Sequence, residues 1–341
     1  MPSFKLVKRS VTLFLFLTGS MFVSCGQSTP YTVNEGFTQG TIYKIIYESP
    51  KGVDYGKEIT QLLRDFSASM STYDPNSLIS RINKNDPTVE VDTFFRTVFN
   101  KSVEINKASS GAFDITISPI VNFWGFGFTS DTPETDATKI DSILQYVGMD
   151  KIHISGNRVI KKYPEVMVDV NAIAKGYSVD VVSDFLKKKG CKNYLVNIGG
   201  EIIAKGVNAS GKTWVVGIER PAENARYGDD YKAMVQLSNR ALATSGNYRR
   251  FFEINGAKYG HSIDVKTGYP ARNNLLSATI LARDCMTADA WATTCMVAGL
   301  QKSMELLKEH PELDAFLIYS DEEGNYQTYA TEGLKKSIMV L

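Results

Sequence analysis

The stretch that decides the fold is residues 194–218, YLVNIGGEIIAKGVNASGKTWVVGI. It contains three short runs rich in apolar and β-branched residues, at 194–198, 202–206 and 213–218, and glycines separate them. Runs of this kind bounded by glycines predict strands joined by turns. Elsewhere in the chain, runs of strand pattern alternate with isolated helical patterns, which favours an α+β fold over a doubly wound sheet.

Hydrophobic spacing predicts the remaining elements. Strand patterns occur at 40–47, 151–154, 158–161, 165–170, 233–237, 251–254, 276–282 and 315–319. Helical patterns occur around 59–66, 94–105, 136–147, 174–189 and 286–300, and the last extends to 309.

A formal phosphate-loop match lies inside the deciding stretch. Residues 206–213, GVNASGKT, fit the pattern GxxxxGK[ST]. A true phosphate loop begins a helix, whose free N–H groups then point at the phosphates. A strand pattern follows here instead, so a hairpin loop is the better interpretation. The dinucleotide pattern GxGxxG is absent.

The N-terminus has the pattern of a bacterial lipoprotein signal. Lys5, Lys8 and Arg9 precede an apolar run at 11–23, which is too short to span a bilayer comfortably. Ser24 before Cys25 resembles a lipobox, which predicts a signal peptide at 1–24 and lipidation of Cys25. The alternatives are simple cleavage and an uncleaved anchor. A tether at 25–35 and a single domain at 36–341 would follow.

Composition excludes several classes of protein. The 341 residues are 43% hydrophobic and 22% charged, which is ordinary for a globular chain. The formal net charge is +1, and removal of residues 1–24, with three positive charges and no negative ones, leaves −2. No nucleic-acid partner is therefore expected. Cys191, Cys285 and Cys295 have the spacing of neither a disulfide framework nor a zinc site. Cys285 and Cys295 lie beside or inside an apolar helical pattern, which predicts buried thiols.

Four segments place polar residues inside apolar stretches. In the first, Asp114 follows a helix-ending glycine in the run GAFDIT at 111–116. A functional carboxylate and an aspartate that caps a turn are both compatible with this position.

The second segment is VDVNAIAKGY at 168–177. Asp169 ends an apolar run, and Lys175 lies at the start of the next predicted helix. A lysine there opposes the helix dipole, but together with the free N–H groups it would favour an anionic ligand. A structural ion pair between Asp169 and Lys175 is the alternative.

The third segment contains His261, one of three histidines in the chain. His261 lies among serine, aspartate and glycine, shortly after the run ATSGNY at 243–248. This surrounding suits a general base near neutral pH, although a lone histidine is more often structural.

The fourth segment, TADAWATT at 287–294, places Asp289 and Thr293 one helical turn apart. A carboxylate and a hydroxyl on one face suit a hard cation such as Mg²⁺. Alternatively, Asp289 lies at a helix N-terminus and Thr293 packs in the core.

Taken in order, these segments resemble the ApbE family of FAD:protein FMN transferases over roughly residues 36–341. The motifs that carry the resemblance are GTIY at 40–43, MSTYDP at 70–75 with Ser77 and Asn83, GAFD at 111–114, NFWGFG at 122–127, Asp169 to Asp180 with AKGY at 174–177, NIGGE at 197–201, TSGNY at 244–248, HSID at 261–264 with Thr267 and Gly268, and ADA at 288–290 with Thr293. The chain departs from the family at Gln39, where Met is usual, and at Asn171 and Val265.

The resemblance implies an ApbE-like, T-fold-like body with antiparallel sheets and packed helices, together with bound FAD and Mg²⁺. The residues implied to contact FAD are Gln39, Tyr73, Ala112, Phe113, Asp114, Asp169, Lys175 and Ile263. Those implied to hold Mg²⁺ are Asp289, Thr293 and the carbonyl of Ala172. His261 would be the base that activates the acceptor hydroxyl.

The implied activity is transfer of FMN from FAD to a Ser or Thr hydroxyl of a partner protein, with release of AMP. The acceptors would resemble flavin-bearing subunits of membrane redox pumps, and the enzyme would be lipid-anchored on the extracytoplasmic face of a bacterial membrane. An FAD pyrophosphatase and a non-catalytic FAD-binding lipoprotein are the alternatives. The chain lacks the acceptor motif of the family, Asp-Gly-x-Thr-Gly-Ala-[Ser/Thr], so it is not expected to flavinylate itself.

Overall fold

The computed structural model describes residues 30–128, 136–221, 230–247, 251–254, 257–260 and 262–341. The predicted signal peptide and Cys25 lie outside these ranges. Within them, no helix is long and apolar enough to cross a membrane.

The strands are β1 (Tyr31–Thr38), β2 (Thr41–Glu48), β3 (Ile152–Ser155), β4 (Arg158–Lys161), β5 (Tyr194–Ile198), β6 (Glu201–Lys205), β7 (Trp214–Glu219), β8 (Tyr231–Leu237), β9 (Arg240–Gly246), β10 (Phe251–Ile254), β11 (Ala257–Gly260), β12 (Leu275–Ala282), β13 (Asp314–Ser320), β14 (Tyr326–Ala330) and β15 (Ile338–Val340). The helices are α1 (Gly56–Met70), α2 (Leu78–Asn83), α3 (Thr93–Ala108), α4 (Ser118–Phe123), α5 (Ile140–Leu144), α6 (Ala174–Lys188) and α7 (Cys285–Glu309).

Among the described residues, eight strands form one antiparallel sheet in the order β1-β2-β5-β6-β9-β12-β13-β14. The deciding stretch lies in it, with Ile198 of β5 opposite Glu201 of β6. Gly199 and Gly200 form the turn between them, with φ of 66° and 104°. Glycine adopts positive φ without a steric penalty, so two residues suffice to reverse the chain.

Both faces of this sheet are covered. On one face, Val196 packs with Val182 of α6 in a cluster that also includes residues of α1 and β2. On the other face, Leu195 packs with Trp214 and Val235 of the small sheet β15-β8-β7. Successive residues of a strand point to opposite faces, which explains why β5 is apolar almost throughout. The α+β prediction is confirmed.

Two predictions about connecting segments are wrong: the length of the tether and the type of loop at 206–213. The strand β1 begins at Tyr31 and pairs with β2, so the predicted tether at 25–35 is too long at its C-terminal end. The loop 206–213 joins β6 to β7, which lie in different sheets, so it is not a hairpin loop. A strand follows the loop rather than a helix, as the argument against a phosphate loop required.

The predicted strand at 165–170 is also wrong. Val166, Val168 and Val170 are buried with the alternation of a strand. However, the backbone N–H and C=O of Val168 bond to the side-chain amide of Asn83, at 2.7 and 2.8 Å. A side chain therefore satisfies Val168 in place of a neighbouring strand. Beside it, the described residues show an isolated bridge between Ile117 and Met167 and a hydrogen bond from the Asp169 N–H to the Ile115 carbonyl.

The predicted helix at 136–147 is shorter in the structure. A 3-10 turn at Ala137–Lys139 leads into α5, which ends at Leu144. The chain after α5 is held by a tertiary contact, because the N–H of Gly148 donates to the Thr116 hydroxyl at 2.6 Å.

Candidate functional site

A cavity of about 940 Å³ lies against the first turn of α6 and the N-terminal part of α7. Its volume is near the upper end of the ~300–1,000 Å³ range of small-molecule sites. The sequence-predicted residues that line it are Gln39, Tyr73, Ala112, Phe113, Asp114, Asp169, Ala172, Lys175, Ile263, Asp289 and Thr293. Every predicted flavin or metal residue thus lies on one cavity wall, although they come from distant parts of the chain.

A charged cluster of Lys175, Glu201 and Asp289 lies on this wall. Lys175 Nζ is 2.8 Å from Glu201 Oε1. The carboxylates of Glu201 and Asp289 belong to residues only 3% and 4% exposed. With both carboxylates ionised, the cluster carries one negative charge in excess, and a buried excess charge favours a cationic ligand.

The cluster is assembled by the close approach of α6 to α7. The backbone N–H of Gly176, in the first turn of α6, donates to Asp289 Oδ2 at 2.8 Å. A Cβ at position 176 would lie 2.3 Å from the backbone oxygen of Cys285. Only glycine therefore permits the approach that brings Asp289 to the start of α6.

Burial and the mutual charges of the three residues together determine the pKa values of this cluster. Burial raises the pKa of Asp289 and of Glu201, and the neighbouring Lys175 ammonium opposes both shifts. Burial alone would lower the pKa of Lys175, but the charges of Glu201 and Asp289 outweigh it and raise the pKa above its usual value. Lys175 therefore carries its positive charge at neutral pH.

Asp114 is tied into its own turn. Its Oδ1 accepts hydrogen bonds from the N–H and hydroxyl of Thr116, at 2.7 and 2.6 Å. Its Oδ2 accepts one from the N–H of Met149 at 3.2 Å. Burial raises the pKa of Asp114, and these bonds oppose the shift. The structure thus supports the turn-capping role, and contact with a ligand in the cavity stays a prediction.

The other predicted metal donors differ in their surroundings. Thr293 lies one turn after Asp289 on α7, and its hydroxyl is 3.2 Å from the hydroxyl of Ser245 on β9. Ala172 lies in the loop before α6. The strand β9, which carries Ser245, was missed because two alanines and a terminal glycine, residues that are depleted in strands, weaken its pattern RALATSG.

The proposed base, His261, lies outside the described residues. The next residue, Ser262, lines the cavity and donates a hydrogen bond to Asn247 Oδ1 at 2.9 Å. The prediction for His261 therefore stands on its sequence position beside a cavity residue.

This cavity collects motif residues from most of the chain, and a family model spans the same stretch. The model of the ApbE family matches residues 39–317. The chain belongs to the ApbE family. The resemblance drawn from the ordered motifs is thereby confirmed.

Relatives of this ApbE family member cover nearly its whole length. A protein of Haemophilus influenzae named FAD:protein FMN transferase is 36% identical over 327 residues, which is 92% of this chain and 93% of the relative. One of Vibrio cholerae with the same name is 36% identical over 323 residues, covering 92% and 95%. The solved flavin transferase ApbE from Vibrio cholerae has a TM-score of 0.80 at 35% identity, covering 90% and 99%. The flavinyl transferase ApbE of Pseudomonas stutzeri also gives 0.80, at 29% identity, covering 90% and 96%. The ApbE-like fold prediction is confirmed.

The oxygen donors of this ApbE site suit a hard cation. A carboxylate, a hydroxyl and a backbone carbonyl, from Asp289, Thr293 and Ala172, are ligand types that Mg²⁺ takes together with water or phosphate oxygens. Among the described residues, no group of three or more His, Cys, Asp and Glu could hold a metal ion. The predicted donor set contains a single carboxylate, so it is a site of a different kind, and it fits Mg²⁺ by donor chemistry and by the excess negative charge.

Two buried polar atoms of residues on the cavity wall have no hydrogen-bond partner among the described residues: Gln39 Nε2 and Glu201 Oε2. Leaving such a group unpaired costs about 1–3 kcal/mol, so both indicate where a ligand could bind. Glu201 was missed as a site residue. Its signal was a glutamate at the start of a buried apolar strand, directly after a glycine turn.

Proposed function

We propose that this protein is a Mg²⁺-dependent FAD:protein FMN transferase that moves FMN to a Ser or Thr hydroxyl of an acceptor flavoprotein and releases AMP. The observation that carries the proposal is the cavity, whose wall combines the predicted flavin residues with the Lys175 cluster. The printed name of the Haemophilus influenzae and Vibrio cholerae relatives, FAD:protein FMN transferase, supports the transfer of FMN from FAD to a protein.

In the proposed reaction, the acceptor hydroxyl oxygen attacks the FMN-side phosphorus of the FAD pyrophosphate. A new P–O bond forms to the acceptor, the bond to the bridging oxygen breaks, and AMP leaves with that electron pair. Negative charge develops on the phosphoryl oxygens, and the positively charged Lys175 ammonium on the cavity wall can stabilise it. A bound Mg²⁺, held by Asp289, Thr293 and the Ala172 carbonyl, would add Lewis-acid stabilisation of the same charge.

His261 is the proposed general base. A Ser or Thr hydroxyl is a weak nucleophile at neutral pH, and a positioned histidine that takes its proton contributes about 10²–10⁴-fold. The position of Ser262 on the cavity wall supports this role for the preceding residue.

The proposal extends to location and partner. Lipidation of Cys25 would anchor the enzyme on the extracytoplasmic face of a bacterial membrane. The acceptors are proposed to be flavin-bearing subunits of membrane redox pumps that carry the motif Asp-Gly-x-Thr-Gly-Ala-[Ser/Thr].

Mass spectrometry of an acceptor domain with this motif tests the activity. The domain is incubated with the full chain, FAD and Mg²⁺, with and without EDTA. We expect a covalent FMN adduct on Thr or Ser that EDTA prevents, and an equal amount of AMP. Release of FMN and AMP without an adduct would indicate the pyrophosphatase, and intact bound FAD would indicate a carrier.

The metal assignment predicts that Asp289→Asn lowers the rate of transfer by about 10²-fold or more, since a metal's charge stabilisation amounts to several kcal/mol. The matched control is Asp314→Asn. Asp314 is a buried carboxylate that pairs with Arg240 and does not line the cavity. Undiminished, EDTA-sensitive transfer by Asp289→Asn would refute the assignment.

The base assignment predicts that His261→Ala keeps its affinity for FAD but loses transfer by about 10²–10⁴-fold. Flavin fluorescence titration measures the first quantity, and adduct formation measures the second. His153→Ala is the control because His153 is exposed on β3. A normal transfer rate in His261→Ala would remove His261 as the base.

A further inference from the structure

The two carboxylate oxygens of Glu201 differ in their hydrogen bonding. Oε1 accepts a hydrogen bond from Lys175 Nζ at 2.8 Å. Oε2 is buried and has no partner among the described residues. Since Glu201 is 3% exposed and belongs to the cavity wall, bulk water does not solvate this second oxygen. The cavity is the direction from which a partner can reach it.

The chemistry of that partner is limited by charge. While Glu201 is ionised, its oxygens only accept hydrogen bonds, so a phosphate oxygen cannot satisfy Oε2 of that form. The cluster already carries one excess negative charge when Glu201 and Asp289 are ionised. The partner must therefore be a cation or a neutral hydrogen-bond donor.

The proximity of Asp289 decides between these. Glu201, Lys175 and Asp289 all line the cavity. Glu201 pairs with the Lys175 ammonium, and Asp289 accepts a hydrogen bond from the backbone N–H of the next residue, Gly176, at 2.8 Å. Mg²⁺ usually keeps several of its water molecules when it binds to proteins, and those waters are strong donors. Carboxylates around a metal site commonly bind through such outer contacts and hold the ligands in place.

We propose that Glu201 is a positioning residue of the cation site, in which Oε1 fixes the Lys175 ammonium and Oε2 accepts a hydrogen bond from a water molecule on the cation held by Asp289. This rests on the proposed function only in requiring a divalent cation in the cavity. Glu201 thereby links the lysine to the metal, so that the two positive groups face the same ligand.

Binding of Mn²⁺, followed by its paramagnetic resonance signal, tests the proposal without turnover. The full chain is titrated in detergent, with neither FAD nor acceptor present. Glu201→Gln keeps an oxygen that can accept from Lys175 but replaces the second acceptor with an amide donor. We expect its affinity for Mn²⁺ to fall by about 10–100-fold, as for other outer contacts of metal sites.

Asp314→Asn serves as the control for loss of a buried carboxylate and should bind Mn²⁺ like the wild type. Asp289→Asn should lose saturable binding. Should Glu201→Gln fail to fold, Glu201→Asp replaces it; this variant keeps the charge but shortens the reach, and its affinity should also fall. Affinity within twofold of the wild type in a folded Glu201 variant would overturn the proposal.

The result separates this proposal from the transferase function. A wild type that transfers FMN but shows no saturable Mn²⁺ binding would overturn the role of Glu201 and leave the activity standing. A folded Glu201→Gln with weakened FAD binding and unchanged Mn²⁺ binding would instead assign Oε2 to a hydroxyl of the flavin substrate, which also overturns it. In steady-state assays of Glu201→Gln, we expect the Mg²⁺ concentration that gives half-maximal activity to rise relative to the wild type. The KM for FAD should rise by a smaller factor.

Discussion

At the residue scale, Gly176 combines a packing role with a site role. It lies beside Lys175, its N–H binds Asp289 Oδ2, and its missing side chain lets α6 contact the start of α7. A methyl group at position 176 would collide with the backbone of Cys285 rather than with a flexible side chain. The collision could be removed only if α6 and α7 moved apart.

The substitution Gly176→Ala is therefore expected to lower the free energy of unfolding by about 1–3 kcal/mol. It should also weaken Mn²⁺ binding, because Asp289 moves with α7. Urea denaturation and the Mn²⁺ titration measure the two effects. Gly36→Ala is the control, since its Cβ would collide with the Tyr43 ring, outside the cavity wall. It should lower stability alone; equal Mn²⁺ binding by both variants would contradict the prediction.

At the element scale, α7 is capped by two aspartates. Asp284 accepts a hydrogen bond from the N–H of Thr287 at 2.8 Å, within the same helix. Asp180, from α6, accepts from the N–H groups of Cys285 and Met286, both at 2.8 Å. The N-terminal end of the helix that carries Asp289 is thus held by a neighbouring helix as well as by its own cap.

Burial raises the pKa of Asp180 to about 7, and the negative charges of Asp284 and Asp184 add to the shift, while the two backbone hydrogen bonds oppose it. The folded protein therefore binds this proton more tightly than the unfolded chain does, whose pKa is about 3.9. The contribution to stability is full below about pH 4 and declines as the pH rises toward 7.

We predict that Asp180→Asn flattens the decline in unfolding free energy between pH 5 and 7.5, where one such group contributes up to about 1.4 kcal/mol per pH unit. Urea denaturation at several pH values measures the slope. The free energy of unfolding of Asp180→Asn is expected to be lower than that of the wild type. The amide replaces one of the two oxygens that accept from the N–H groups of Cys285 and Met286. Asp141→Asn, at an exposed position of α5, should keep a slope near that of the wild type. A wild-type slope in Asp180→Asn would show that Asp180 does not titrate in this range.

At the scale of the whole molecule, the cavity lies where α6 and α7 meet the eight-stranded sheet. The chain enters this sheet at Tyr31. A lipid on Cys25 would leave only the short stretch between these two residues as the connection to the membrane. The anchored enzyme would then work close to the bilayer, where membrane-bound acceptors are found.

This location predicts that Cys25→Ala shifts the protein from the membrane fraction to the soluble extracytoplasmic fraction. Metabolic labelling with a fatty acid and cell fractionation measure the change. Ser24→Ala, which keeps a small residue before the cysteine, is the control and should remain lipidated. Continued lipid labelling of Cys25→Ala would contradict the lipobox prediction.

The local elements were largely predictable from the sequence because their signals are local. The apolar, β-branched runs and the glycines between them predicted β5 and β6, and apolar spacing predicted α6 and α7. Even the division of the long helix near 300 has a local cause, since Gly299 has a non-helical φ of 76° inside α7. The ordered motifs gave the family, and each motif residue with a predicted role in the described ranges lines the cavity.

Only the tertiary structure decided which partners these residues have. The run 165–170 carries a strand pattern, yet the backbone of Val168 at its centre is bonded by the side chain of Asn83, from far along the chain. Lys175 pairs with Glu201, a residue from another element. The sequence around Glu201 marks an unusual glutamate but does not reveal that its partner is Lys175. Periodicity reports which side of an element is buried, because burial depends on a repeating direction. It does not report which group fills the space opposite, because that depends on how distant elements pack.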